Sequence, residues 1–300
     1  MKRFKKICKM SQMDLKKWLA KKLKNTHKNV IFEDGFLYAP GEIPILLVAH
    51  LDTVHNDLPS SVFYDKERDV LYSDEGIGGD DRCGVYMILQ IIEQYNCSVL
   101  FCEDEEIGCK GAEKFVDSPI SENLTFNFIL EFDRKGSNDA VFYNCGNEDF
   151  ESFITANFYN KAYGLFSDIS VIAPALGCAA ANLSCGYYNA HTKNEYVVFG
   201  EMVESINAAM KIIACTTEED VFEYIENKCE CGPSSYYCNN FFETDTLYLI
   251  ECNSEDRPEW DFIYATSKEE AVGKFLINNP EICYNQIDSV VADNQFDSSF

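Results

Sequence analysis

The chain has 300 residues, 46% hydrophobic and 14% aromatic, with a formal net charge of −25 at pH 7. This is the composition of a globular protein, long enough for one large domain or one domain with a small annex. No run of about 18 apolar residues offers a transmembrane helix. The fourteen cysteines are scattered, and no apolar signal core follows the basic start "MKRFKKICKM". They are expected to be reduced thiols of a cytoplasmic protein.

In chain order, residues 1–30 come first, with eleven Lys/Arg against the single acid Asp14. Leu15, Trp18, Leu19 and Leu23 recur there at helical spacing, which predicts a basic N-terminal helix with one face on the body and its lysines in water. Such a head could also meet RNA or another anionic surface. The strongly acidic body, however, repels nucleic acid, so neither nucleic acid nor a membrane is an expected partner. "PILLVA" (44–49) reads as a buried strand and "CGVYMILQIIEQY" (83–95) as a helix. "SVLF" (98–101) is a strand, "GAEKFVD" (111–117) a short helix and "FNFILEF" (126–132) another strand. "GEMVESINAAMKIIAC" (200–215) is a helix. Short apolar strands alternating with helices predict an α/β fold, with a mixed, largely parallel sheet covered by helices on both faces.

Composition shifts near residue 216. Residues 216–300 carry nineteen Asp/Glu against four Lys/Arg. "TLYLIEC" and "WDFIYAT" read as strands, and "SKEEAVGKFLINN" as a helix with Ser267 and Glu270 forming a capping box. The expected division is a catalytic domain over 1–215 and an acidic α/β annex over 216–300. Cys229, Cys231, Cys238 and Cys252 in the annex could bind zinc, although their spacing is irregular.

Polar residues gather where the predicted strands end, and in open α/β sheets ligands bind beyond the carboxyl ends of strands. "VAHLDTV" supplies His50 and Asp52, and "GGDDRCG" supplies Asp80 and Asp81. "EDEEIG" supplies Glu105 and Glu106, "EFDRKG" supplies Glu131 and Asp133, and "YYNAHTKNE" supplies His191 and Glu195. Taken singly, each has a plain structural explanation. Asp80 and Asp81 could cap a helix, and Glu105 and Glu106 could sit in a helix's first turn. Together they form a mixed His/carboxylate set of the kind that suits zinc, cobalt or manganese. Two such cations would neutralise the crowded acids. Of the adjacent pair Glu105 and Glu106, one could then bind a metal and the other take a proton from water.

The order of these motifs resembles the co-catalytic di-zinc peptidases, the clan of peptidase T, carboxypeptidase G and the bacterial leucyl aminopeptidases. The resemblance runs from "LLVAHLDTV" through "GIGGDDRCGV", "CEDEEIGCKGA" and "LEFDRKG" to "NLSCGYYNAHTKNE". It implies a zinc exopeptidase-like fold with two divalent metals. His50 and Asp133 would bind the first metal, Glu106 and His191 the second, and Asp80 would bridge them. Asp52 would orient His50, and Glu105 would be the general base. A cis peptide between Asp80 and Asp81 belongs to the same pattern. Asp168, in "FSDIS", would have a structural role or act behind the metals, and Asn182, Tyr187 and Tyr188 would line the pocket or fill the core. Many relatives carry a lid or dimerisation domain before the last His motif, but here only 57 residues separate Asp133 from His191.

The function this implies is metal-dependent hydrolysis of an amide in a small peptide, most simply by an aminopeptidase-like exopeptidase. The alternatives are a deacylase acting on small N-acyl compounds, a metal-binding protein without catalysis and, less readily, a nuclease.

Overall fold

The computed structural model describes residues 1–164 and 166–227, then 246–254, 257–265, 268, 271–272, 275 and 287–292. The chain divides into two compact units, Met1–Asn227 and Lys228–Phe300.

The basic head of the first unit is two helices, α1 (Lys2–Ile7) and α2 (Gln12–Leu23), because Ser11 interrupts the path and caps α2 by accepting from the Asp14 N–H. A short antiparallel pair follows, β1 (Ile31–Glu33) and β2 (Phe36–Ala39), and then β3 (Ile43–His50). A second antiparallel pair, β4 (Phe63–Asp65) and β5 (Val70–Tyr72), leads into α3 (Gly79–Ile91). The chain continues through β6 (Cys97–Cys102), α4 (Lys110–Val116), β7 (Phe128–Arg134), β8 (Asp139–Val141) and α5 (Glu148–Thr155). It closes through β9 (Asn160–Ala162), α6 (Asp168–Leu176), β10 (Ala180–Ser184), the hairpin of β11 (Tyr187–Tyr188) and β12 (Tyr196–Val198), and α7 (Phe199–Cys215).

The main sheet has eight strands in the order β1-β2-β6-β3-β7-β10-β8-β9. Its centre, β6-β3-β7-β10, is parallel throughout, and antiparallel pairings occur toward the edges. The sheet is therefore mixed and largely parallel, as the alternation of apolar runs predicts. Period-2 alternation sends successive β3 side chains to opposite faces. Ile45, Leu47 and Ala49 join a core with residues of α1, α2, α3, α5 and α7, while Leu46 and Val48 join one with residues of α4 and α6. Both faces are covered. Gly84 lets α3 approach β7, since a β-carbon there would collide with the Phe132 carbonyl oxygen.

A smaller antiparallel sheet, β11-β12-β5-β4, sets the loop between β11 and β12 beside β5, the strand that runs toward Asp80. The boundary of the first unit falls at Asn227, later than the composition shift at 216. The reason is aromatic. Phe222 packs against Phe128, Phe150 and Phe153, and its N–H donates to the Asn127 carbonyl.

In the second unit, β13 (Thr246–Ser254), β14 (Arg257–Ala265) and β15 (Ile287–Ala292) form an antiparallel sheet in the order β14-β13-β15. Tyr248, Ile250, Ala271, Val272 and Phe275 make its small core. The predicted capping box and three of the four suggested zinc cysteines, Cys229, Cys231 and Cys238, lie outside the described residues. Among the described residues, no helix is long and apolar enough to cross a membrane.

The basic head is more than a solvated face. Lys16, 1% exposed, lies 2.6 Å from Glu103, whose carboxylate also accepts from the Gly35 N–H at 2.9 Å. Gln12 donates to Asp104 at 3.0 Å. The acidic stretch 103–106 is thus held from behind by α2. Removing one partner of a buried ion pair leaves a charge without compensation, which costs far more than the pair itself contributes. Lys16→Met is expected to lose about 3 kcal/mol of stability in urea denaturation, and adding Glu103→Leu to recover much of it. Two independent, additive losses would contradict the pairing.

Candidate active site

His50 ends β3, Glu105 and Glu106 follow β6, and Asp133 lies near the carboxyl end of β7. These are three adjacent strands of the parallel centre, so their ends meet on one edge. Asp80 arrives from the glycine-rich approach to α3, where the Asp80–Asp81 peptide is cis and both residues depart from helical geometry. Gly78 takes a left-handed φ of +63° on that approach. His191 arrives from the β11–β12 loop.

The geometry centres on Asp80. Its Oδ1 lies 3.0 Å from His50 Nε2, and its Oδ2 lies 3.2 Å from His191 Nε2. Asp133 Oδ1 is 3.4 Å from the same His50 nitrogen, and Glu106 Oε2 is 3.1 Å from the same His191 nitrogen. One carboxylate therefore stands between two imidazoles, each with a further carboxylate at its Nε2. His50–Asp80–Asp133, Asp80–Glu106–His191 and His50–Glu105–Glu106 each offer ligand atoms within 4.8 Å of one another.

A ring of buried contacts holds these groups. Asp52 receives three of them, His50 Nδ1 at 3.1 Å and the backbone N–H groups of Glu105 and Glu106 at 3.1 Å each. It therefore orients both the imidazole and the Glu pair. Asp81 does not face the His pair. It accepts from the N–H groups of His50 and Gly84, at 3.2 and 2.8 Å, and so braces β3 against α3. Arg82, 1% exposed, donates to the carbonyls of Leu51 and Met10. Glu131 belongs to none of the three groups, and its Oε2 is buried without a partner.

Of the suggested pocket residues, Asn182 accepts from the Asp133 N–H at 2.8 Å and donates to the Asp133 carbonyl at 3.1 Å. Tyr187 donates to Asp133 Oδ1 at 3.3 Å, whereas Tyr188 turns away to Glu201 and stacks on Tyr196. Asp168 is fully buried at the start of α6. Its neighbour Ser167, to which the sequence reading gave no role, donates to Asp133 Oδ2 at 3.0 Å.

Electrostatics show what these groups lack. Burial, reinforced by the nearby carboxylates Asp133, Asp168 and Asp80, pushes Glu105 up to about 9. Burial and then Asp80 push Asp133 up to about 7. Burial also works to raise Asp80, yet hydrogen bonds from His191 and His50 outweigh it and hold its carboxyl well below the ordinary range. The same carboxylates, Asp80 and Glu106, raise His191 to about 11. Acids that retain protons and imidazoles that seek them mark a site short of positive charge. Glu106 Oε1 is buried with no hydrogen-bond partner. The donor set is all imidazole nitrogen and carboxylate oxygen. It fits a borderline divalent cation on each side of Asp80.

The model of peptidase family M28 matches residues 38–169, which include His50, Asp52, Asp80, Glu105, Glu106 and Asp133. The chain resembles the co-catalytic zinc peptidase clan over those residues. This metallopeptidase shares its fold with solved structures of low sequence identity. The aminopeptidase PepT of Bacillus cereus is 15% identical, with 71% of this chain and 96% of that one covered at a TM-score of 0.56. An aminopeptidase of the archaeon Desulfurococcus kamchatkensis is 16% identical, with 73% and 96% covered at a TM-score of 0.54. A tripeptidase of Staphylococcus aureus is 14% identical, with 70% and 95% covered at 0.53. No curated protein sequence matches the metallopeptidase.

The shifted groups predict how the metal-free metallopeptidase responds to pH. A carboxyl whose folded value is raised contributes stability that is complete below its unfolded value and lost as pH climbs through the folded one. For Asp133 that window runs from 3.8 to about 7, and for Glu105 from 4.5 to about 9. The raised His191 adds a loss of the same sign from 6.5 to about 11. Divalent cations require the deprotonated groups. The rise in Tm on adding zinc is therefore expected to be larger at pH 8 than at pH 5.5. Equal rises at the two pH values in thermal melts would contradict this.

Proposed function

We propose that this metallopeptidase is an aminopeptidase-like exopeptidase that works with two divalent cations, zinc in the first instance, shared through Asp80. His50 and Asp133 would hold one and His191 and Glu106 the other, with Glu105 as general base. The observation that carries this reading is the placement of the two Asp80 oxygens, one toward each imidazole, at 3.0 and 3.2 Å.

Cations held there would supply Lewis acidity to the scissile carbonyl and lower the pKa of water. Glu105 takes the proton of the attacking water and passes it to the departing amine. Its role is supported by its membership of one group with His50 and Glu106, and by a local field that favours holding a proton. Asp52 keeps the base and the two adjoining side chains in one geometry through its contacts with His50, Glu105 and Glu106. The short span between Asp133 and His191 leaves no room for an inserted lid domain, which favours a compact aminopeptidase plan and a small peptide substrate. The net charge of −25 argues against nucleic acid as substrate. A reducing, cytoplasmic setting is supported by nine free cysteines among the described residues.

A panel of aminoacyl, dipeptidyl and N-acetyl substrates, each with zinc, cobalt or manganese, tests the reading. Cleavage of substrates with a free amino terminus is expected. Cleavage confined to N-acyl compounds would replace the exopeptidase with a deacylase.

A further inference from the structure

We propose that Glu195 is a positioning residue that locks the Asp80 backbone to the loop bearing His191. This rests on the reading of Asp80 as the shared carboxylate.

Glu195 follows His191 by four residues in the β11–β12 loop, and it is 1% exposed. Its Oε1 accepts from the Asp80 N–H at 2.9 Å, and its Oε2 accepts from the Gly78 N–H at 2.8 Å. Oε2 also lies 2.9 Å from His55 Nε2, on the chain that continues from His50 and Asp52. One carboxylate thus ties together the three loops that carry His50, Asp80 and His191. None of its contacts reaches a ligand atom of Asp80. It acts on the main chain and fixes where the Asp80 oxygens point.

The fit is close on every side. A β-carbon at Gly79 would stand 2.9 Å from both Tyr187 Cβ and Val197 Cγ2, and 3.2 Å from Glu195 Oε1. A β-carbon at Gly76 would collide with the His55 ring. The glycine-rich approach to Asp80 is therefore moulded against the Glu195–His55 pair. Burying a carboxylate is costly unless it is fully hydrogen-bonded. Here its hydrogen bonds go to the loop whose position decides whether His50 and His191 share one partner.

The test compares wild type, Glu195→Gln and Glu195→Asp as full-length protein. The amide of Gln cannot accept from both N–H groups in the same way, and Asp retains the charge on an arm one methylene shorter. Zinc stoichiometry and zinc affinity are measured by chelator competition, alongside the Tm of the metal-free protein and kcat and KM. Outer contacts to metal ligands are typically worth 10–100-fold in metal affinity. Both variants are expected to lose that much zinc affinity, with kcat falling more than KM rises, and to lose more affinity than the accompanying fall in metal-free Tm accounts for. Wild-type zinc affinity in both variants would overturn the assignment, as would a loss that merely follows a fall in metal-free Tm. If Glu195→Gln does not fold, His55→Gln is measured in its place. A smaller loss of zinc affinity is then expected, and an unchanged affinity overturns the assignment. Failure of the wild type to bind zinc would instead sink the proposed function.

Discussion

Glu105→Gln is expected to lower turnover of an aminoacyl substrate by about 10²–10⁴-fold while fold and zinc content persist. The side chain lies among His50 and Glu106, and its backbone N–H is fixed by Asp52 at 3.1 Å. Its Oε1 lies 3.7 Å from the Cys109 thiol, a contact that the Gln amide oxygen can still accept. Gln has the same shape and cannot take a proton, so the substitution removes one chemical capacity and little packing. In the proposed assignment Glu105 holds neither cation, and metal content should not change. The measurement is kcat beside zinc per chain. Wild-type turnover would show that the proton goes elsewhere, and loss of zinc would show that Glu105 is a ligand.

Asp80→Asn is expected to have the larger effect on metal. The Asp80 carboxylate offers one oxygen to each side, and an amide can offer an oxygen to only one. Its NH2 group would face the other imidazole, and the negative charge between His50 and His191 would be gone. Contacts behind a ligand are worth 10–100-fold in metal affinity, and replacing a shared ligand should cost more. Zinc per chain is expected to fall from two to one or fewer, with turnover falling at least as far as in Glu105→Gln. Two tightly held zinc ions in Asp80→Asn would rule out Asp80 as the shared ligand. The Asp80 N–H that Glu195 accepts is a main-chain group, so the loop itself has reason to survive the change.

Strands with uninterrupted apolar runs could be read directly from the sequence. β3, β6 and β7 are buried on both faces, and their ends carry His50, Glu105, Glu106 and Asp133. α3 and α7 were legible from their long apolar periodicity. The short strands β4, β5, β8 and β9 and the hairpin of β11 and β12 were not. Three residues such as Val70–Tyr72 carry no period of their own, and only pairing with β4 and β12 makes them a strand. The loop of that hairpin carries His191, so the sequence could name the residue but not the strands that present it.

The residues behind the site were harder to see, because nothing local marks them. Lys16 reads as one more solvated lysine until Glu103, 87 positions away, is placed beside it. Ser167 and Asn182 touch Asp133 from α6 and β10, through contacts that exist only once the chain has folded. Glu195 appeared in the sequence as the end of a polar stretch. Its role depends on Gly78 and Asp80, more than a hundred residues earlier. The acidic composition that suggested a boundary at 216 concealed Phe222 and its place in the aromatic core of the first unit.

The most direct measurement is a crystal structure of the full chain grown with zinc, with anomalous scattering recorded on both sides of the zinc edge. Two peaks are predicted, one beside His50 and Asp133, the other beside His191 and Glu106, with Asp80 between them. A single peak, or peaks elsewhere with Asp80 touching none, would contradict the shared site on which the mechanism depends.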